Sequence, residues 1–299
     1  MSVAREFLRG IIDYAGLFPP ASLDMAHAVA SYATYLETDE HDLLGRFILP
    51  AARLPEFSSA LGSSRLTPES SMPWPLSVIP EVANNSEAEK IREFNQSWTE
   101  TGSRVRATIG AIEMPVRSMD DIHRAVMAFG KFELFLEPTG VDDQSDLLDG
   151  IAAAGAAAKI RTGGTTPGST PEPGTVIRFI ARCAERGLRF KATAGLHHAL
   201  RNVYPLTYAP DSPHGKMYGY LNIFLVAAFM RDGLPATALF ALLDESAPSS
   251  ISFDESGASW RGHTIAASQL RATRSDFALS FGSCSFTEPV EEARQLHLI

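Results

Sequence analysis

One alternation runs along almost the whole chain: a short apolar stretch bounded by turn residues, then a stretch with apolar residues at helical spacing. Eight strand-like stretches occur: GIIDYAGLF, GRFILPA, PLSVIPEV, RATIGAIEMP, FELFLEP, AAAKIRTGG, RFKATAGLHH and FALSFGSCSF. Between them lie segments such as LDMAHAVASYATYLE, NNSEAEKIREFNQSW, SMDDIHRAVMAFG, QSDLLDGIAAAG and PEPGTVIRFIARCAERG. Several open on Ser, Asp or Asn and close on Gly, as helix caps do. A β-then-α series of parallel strands either closes into a barrel or stays open as a doubly wound sheet. Eight units in 299 residues favour the closed α/β form, a (β/α)8 TIM barrel. No G-x-G-x-x-G follows the first strand, which removes the main support for an open dinucleotide-binding sheet.

The regular spacing breaks once. About eighty residues separate the seventh strand from the eighth, against ~30 for an ordinary βα unit. We expect a single domain over residues 1–299 with an insertion at about 204–265. It should hold a loop with Pro205, Pro210 and Pro213, an apolar helix, a second helix LPATALFALLDES, and a hairpin centred on Glu255-Ser256-Gly257. An insertion that leaves the C-terminal end of a barrel strand is expected over the barrel mouth, with His198, His214 and Tyr218 near the substrate. The stretch GSSRLTPESSMPW at 62–74 reads as a solvated connection.

Other classes are disfavoured by simple counts. A net charge of −9 argues against a broad surface for nucleic acid or anionic membrane. The most apolar run, YGYLNIFLVAAFM at 218–230, is shorter than the ~20 residues that span a bilayer, so it reads as a buried helix. Two cysteines, Cys183 and Cys284, build neither a disulfide framework nor a multi-cysteine zinc site, and both read as small buried residues. With no secretory pattern in MSVAREFLRGIIDYAG, the expected setting is the cytoplasm. The expected partner is a small-molecule substrate, without nucleic acid or membrane, and a homo-oligomer is left open.

In such a barrel the polar residues at the C-terminal strand ends carry the chemistry. Here these are Asp13, Glu113, Glu137, Lys159, Arg161, Lys191, His197, His198 and the Ser283-Cys284-Ser285 run. Lys159 and Arg161 alternate onto one face of the sixth strand, and Lys191 lies on the seventh. Buried ammonium groups are costly unless paired or neutral. Two readings follow. Neighbouring cations could depress the Lys159 pKa and free an amine that attacks a carbonyl; or Glu113 and Glu137 could neutralise the lysines in an ion-pair cluster.

The run KIRTGG, then FKATAGLHH, then SFGSCSF resembles the sixth, seventh and eighth strands of deoxyribose-phosphate aldolases. IIDYAGLFPPA and FLEPTG are similar to that family's first and fifth strands. The resemblance implies that Lys159 is a Schiff-base lysine, Lys191 its pKa-lowering neighbour, and Asp13 part of the polar shell. It also implies that Gly163, Gly164, Gly195 and Gly282, with Ser283 and Ser285, surround a phosphate. The chain departs from the family at the fourth-strand aspartate: aligned on Pro115, Ala111 takes that place, and Glu113 is the nearest acid on that face. Arg161 replaces a small residue, Ala194 a glycine and Cys284 a serine, so deoxyribose 5-phosphate itself is not the expected substrate.

The leading expectation is a class I aldolase or related lyase without metal or cofactor. Lys159 would form a Schiff base with a small anionic carbonyl compound, phosphorylated or carboxylated. Lys191, Asp13, Glu113 and Glu137 would do catalytic work, and Arg161, Thr162 and His198 would meet the substrate, Arg161 through its planar fork. Two other classes stay open. One is a metal-dependent barrel using His197, His198 or His214 with a glutamate. The other is a catalytically silent barrel that binds a phosphorylated ligand.

Overall fold

The computed structural model describes residues 1–63, 72–100, 106–140 and 144–299. Seven barrel strands come first: β1 (Ile12–Tyr14), β2 (Leu44–Pro50), β3 (Trp74–Ile79), β4 (Ala107–Val116), β5 (Glu133–Pro138), β6 (Ala157–Arg161) and β7 (Phe190–Thr193). The insertion contributes β8 (Asn202–Pro205), β9 (His214–Met217), β10 (Ile251–Phe253), β11 (Gly257–Trp260) and β12 (His263–Ala266), and β13 (Ala278–Ser283) completes the barrel. The eight barrel strands pair in parallel in the order β1-β13-β7-β6-β5-β4-β3-β2 and close on themselves. Each of the eight strand-like stretches read from the sequence supplies one of them.

The outer layer consists of α1 (Val3–Leu8), α2 (Met25–Leu36), α3 (Leu54–Ser63), α4 (Asn85–Glu100), α5 (Met119–Phe129), α6 (Ser145–Ala153), α7 (Pro173–Glu185), α8 (Tyr220–Arg231), α9 (Ala236–Leu243), α10 (Ala267–Asp276) and α11 (Thr287–Gln295). Their boundaries follow local chemistry. Asp24 and Ser118 accept hydrogen bonds from His27 N and Asp121 N at the starts of α2 and α5. In α7 Pro173 occupies the first turn, and Val176, Ile177, Phe179, Ile180 and Cys183 form one buried stripe at helical spacing. Gly187, at φ +58°, lets the chain leave that helix, with Leu188 N donating to Cys183 O at 2.9 Å. The connection expected at 62–74 falls outside the described residues between 64 and 71, while Gly62 and Ser63 end α3 and Trp74 opens β3.

The insertion divides its contacts. Its proline-containing start is a hairpin rather than a loop, with β8 and β9 antiparallel and Pro205 opposite His214. Proline is tolerated there because the edge needs no donor at that position. The apolar helix α8 is buried on every side from Tyr220 to Phe229. It packs among α7, α9, α10 and β13 in the outer ring, which accounts for an apolar run without amphipathic period. Asn222, fully buried in it, accepts from Arg201 N and donates to the carbonyls of Leu242 and Glu245, tying the insertion together. The expected hairpin at 251–265 has a third strand: β10, β11 and β12 form an antiparallel sheet. That sheet rests on α10, and Phe253 packs its ring against Phe7 of α1. Among the described residues no helix is long and apolar enough to cross a membrane.

Aliphatic side chains usually fill the inside of such a barrel. Here charges occupy much of it. Strand β5 shows this level by level: Glu133 pairs with Arg46 and Arg189, Phe135 lies under Lys191 Nζ at 5.3 Å, and Glu137 reaches Lys159. Buried charge at this density is expensive and persists only where it is compensated in place.

Candidate active site

The parallel register sets Lys159 directly beside Lys191, and three strands bring carboxylates to meet them. Lys191 Nζ, fully buried, donates to Asp13 Oδ2 at 2.5 Å and to Glu113 Oε1 at 2.6 Å. The second Glu113 oxygen lies 2.9 Å from Lys159 Nζ, so this one side chain bridges both lysines. Glu137 Oε2 is 3.3 Å from Lys159 Nζ, and its other oxygen is 3.5 Å from Arg161 Nε. Asp13 also accepts from Arg46 N and Ser280 Oγ, and Glu113 from Ser77 Oγ. The cluster therefore sets the cations Lys159, Lys191 and Arg161 against the anions Asp13, Glu113 and Glu137.

The electrostatics reverse one expectation. Burial pulls the Lys159 ammonium down, but Glu113 and Glu137, both in contact with it, outweigh burial and hold its pKa above the ordinary lysine value. At rest Lys159 is protonated. The neighbouring cations do not free its amine, because two carboxylates are closer partners than Lys191 and Arg161 are competitors. Glu113 shows the reciprocal effect: burial favours its acid form, yet Lys191 and Lys159 keep it well below the usual carboxylate range.

A cavity of about 260 Å³ opens above this cluster. Glu113 and Lys159 line it from the barrel strands, and Arg161, Gly164, Gly195 and Gly282 from the strand ends. Leu206 and Met217 reach it from the insertion's first hairpin. A volume below the ~300–1,000 Å³ of sites for drug-sized ligands suits a small substrate. Asp13 and Lys191 are not in its lining; Lys191 holds Glu113 from behind and is itself held by Asp13. The loops after β6 and β7 approach so closely that a Cβ on Gly163 would stand 3.0 Å from Gly195 Cα, and Gly195 has φ +73°. Thr162 serves the same junction, its hydroxyl donating to Ala194 O at 2.8 Å.

Other expected substrate residues are engaged elsewhere. Ser285 Oγ accepts from Glu288 N at the start of α11, and Ser283 Oγ lies 3.3 Å from His197 Nδ1. His198 bonds Glu292 through Nδ1 at 2.6 Å and stacks on Tyr204 at 3.4 Å. Tyr218 OH donates to Pro171 O, and His214 is exposed on β9. His197, the sequence neighbour of His198, lines the cavity together with Cys284. Adjacent residues of an extended segment face opposite ways, so at most one of the two was expected at a shared site. Cys183 lies in the core as read, whereas Cys284 is a buried thiol on the cavity wall. Among the described residues no three His, Cys, Asp or Glu side chains are grouped so as to hold a metal ion. No family model matches the chain, and no curated protein matches it.

Proposed function

We propose that the protein is a class I lyase of aldolase type, in which Lys159 forms a Schiff base with a small anionic carbonyl compound. The observation that carries this reading is Lys159 itself: an amine on the cavity floor, touching two carboxylates and backed by a second, fully buried lysine. A lysine protonated at rest becomes a nucleophile by handing its proton to a contacting carboxylate, and Glu137 is in reach. The neutral amine attacks the carbonyl, water leaves, and the resulting iminium withdraws electrons as a carbon–carbon bond breaks or forms. Lys191 keeps Glu113 ionised and in place. Arg161, with its side chain 58% exposed at the rim, receives a carboxylate or phosphate of the substrate. The chemistry needs no metal or cofactor, and the free thiol of Cys284 suits a reducing, cytoplasmic setting.

Borohydride trapping with a panel of aldehydes, ketones and 2-keto acids, read by peptide mass spectrometry, tests the reading. The expected adduct maps to Lys159 and disappears in Lys159→Met. An adduct confined to surface lysines such as Lys90 overturns it, as does turnover that depends on a stoichiometric bound metal. Ligand binding without any turnover or adduct would instead indicate a silent barrel.

A further inference from the structure

The polar group around His197 has no part in the lysine cluster, yet two of its members, His197 and Cys284, line the same cavity. Its members come from separate elements: His197 follows β7, Ser283 and Cys284 end and follow β13, Glu288 sits in the first turn of α11, and Tyr208 lies in the β8–β9 connection. Glu288 Oε2 is 3.3 Å from His197 Nδ1 and accepts from Tyr208 OH at 3.0 Å. The Cys284 sulfur is 3.8 Å from Nδ1, 4.0 Å from Nε2 and 3.6 Å from Tyr208 OH. Glu292, one turn further along α11, is taken by His198. Burial would discharge the imidazole, but Cys284 and Glu288 together push its pKa up to about 9. In turn Glu288, though burial favours its acid form, is held below its ordinary value by His197 and Tyr208.

Imine formation at Lys159 is proton-neutral overall, but the substrate oxygen must take up a proton as its bond to carbon breaks. His197 lines the same cavity as Lys159, where it can donate to the departing oxygen while the lysine proton rests on a carboxylate. We propose that His197 is the catalytic acid–base group of this cavity. In the carbinolamine, the carbon–oxygen bond breaks as the oxygen takes the His197 proton and leaves as water, and the nitrogen lone pair forms the iminium. Neutral His197 then accepts the proton of the substrate's β-hydroxyl. That oxygen becomes a carbonyl, the carbon–carbon bond breaks, and its electron pair moves into the iminium to give an enamine. His197 is thereby recharged. The substrate class is narrowed to β-hydroxy carbonyl compounds bearing an anionic group. Glu288 and Tyr208 are positioning residues that orient and charge the imidazole.

The inference rests on the Schiff-base reading, and the test separates the two. Wild-type protein is trapped with cyanoborohydride on the best carbonyl of the panel. His197→Gln is then compared with it at pH 7 for trapping rate, turnover and thermal unfolding. General acid–base catalysis supplies about 10²–10⁴-fold, so trapping and turnover should each fall at least ~100-fold, and added imidazole should restore part of the loss in His197→Gly. If wild type traps at Lys159 but His197→Gln traps and turns over normally, the His197 role is overturned while the Schiff base stands. If wild type gives no Lys159 adduct, both fall. Should His197→Gln fail to fold, Glu288→Gln decides: the alkaline limb of kcat/KM should move from about 9 toward the ordinary histidine value of ~6.5. An unmoved limb overturns the proposal, and so does a loss of activity in Cys284→Ala that His197→Gln does not share.

Discussion

Replacing Glu137 with glutamine should make Lys159 a readier nucleophile at neutral pH, although it removes a group from the site. The substitution preserves shape and deletes one negative charge 3.3 Å from Nζ. Burial of Lys159 continues to disfavour its ammonium form, and Glu113 alone is left to oppose it. Two unit charges about 4 Å apart interact by ~4 kcal/mol at an effective dielectric of 20. Arg161, 3.5 Å from the same carboxylate, and solvent at the rim reduce that figure. A fall of about 1–2 pKa units remains, at ~1.4 kcal/mol per unit. The rate of cyanoborohydride trapping against pH should therefore shift its midpoint down by about 1–2 units, with a ~10–100-fold gain at pH 7. Turnover is a separate readout, because Glu137 is the proposed acceptor of the lysine proton. A trapping midpoint that stays in place, or moves to higher pH, would show that Glu137 does not hold the lysine proton.

Lys191→Met leaves Asp13 and Glu113 as buried carboxylates without their shared cation, so chemical unfolding should show a loss of about 3–5 kcal/mol; a variant as stable as wild type would contradict the buried network. The same substitution leaves Glu113 wholly to Lys159 and should raise the pH midpoint of trapping. Arg161→Lys should raise KM for anionic carbonyl substrates, since a point charge does not reproduce the bidentate fork; better turnover of neutral analogues than of anionic ones would refute the role. His197, ordinarily near 6.5 and here raised to about 9, stabilises the fold in full below pH ~6.5 and loses that contribution as pH rises through about 9, a change of ~3 kcal/mol. Urea midpoints at pH 6 and pH 10 should differ accordingly, and Glu288→Gln should reduce the difference, Cys284 still raising the imidazole.

The eight strands were legible in the sequence because a strand's alternation, a helix's period and its caps are properties of a few neighbouring residues. The pairing of Lys159 with Lys191 was legible for a related reason. In a β-then-α chain successive strands become neighbours in the sheet, so two lysines on consecutive strands must meet. The all-round apolar character of 218–230 likewise announced a buried helix before its partners were known.

What the tertiary structure decided was which charge lies closest to which. The sign of the Lys159 shift depends on Glu113 and Glu137 reaching it from β4 and β5 at about 3 Å, and no spacing along the chain encodes that distance. The same holds for which histidine lines the cavity: Glu288 and Cys284 meet His197 there, whereas Glu292 of the same helix takes His198. The insertion's division between a hairpin at the cavity and a sheet against α1 and α10 is of this kind too. Local pattern sets the elements because backbone preferences act over a few residues. Coulomb energy and desolvation depend on separations of a few ångströms between groups far apart in sequence, and the folded chain alone defines them.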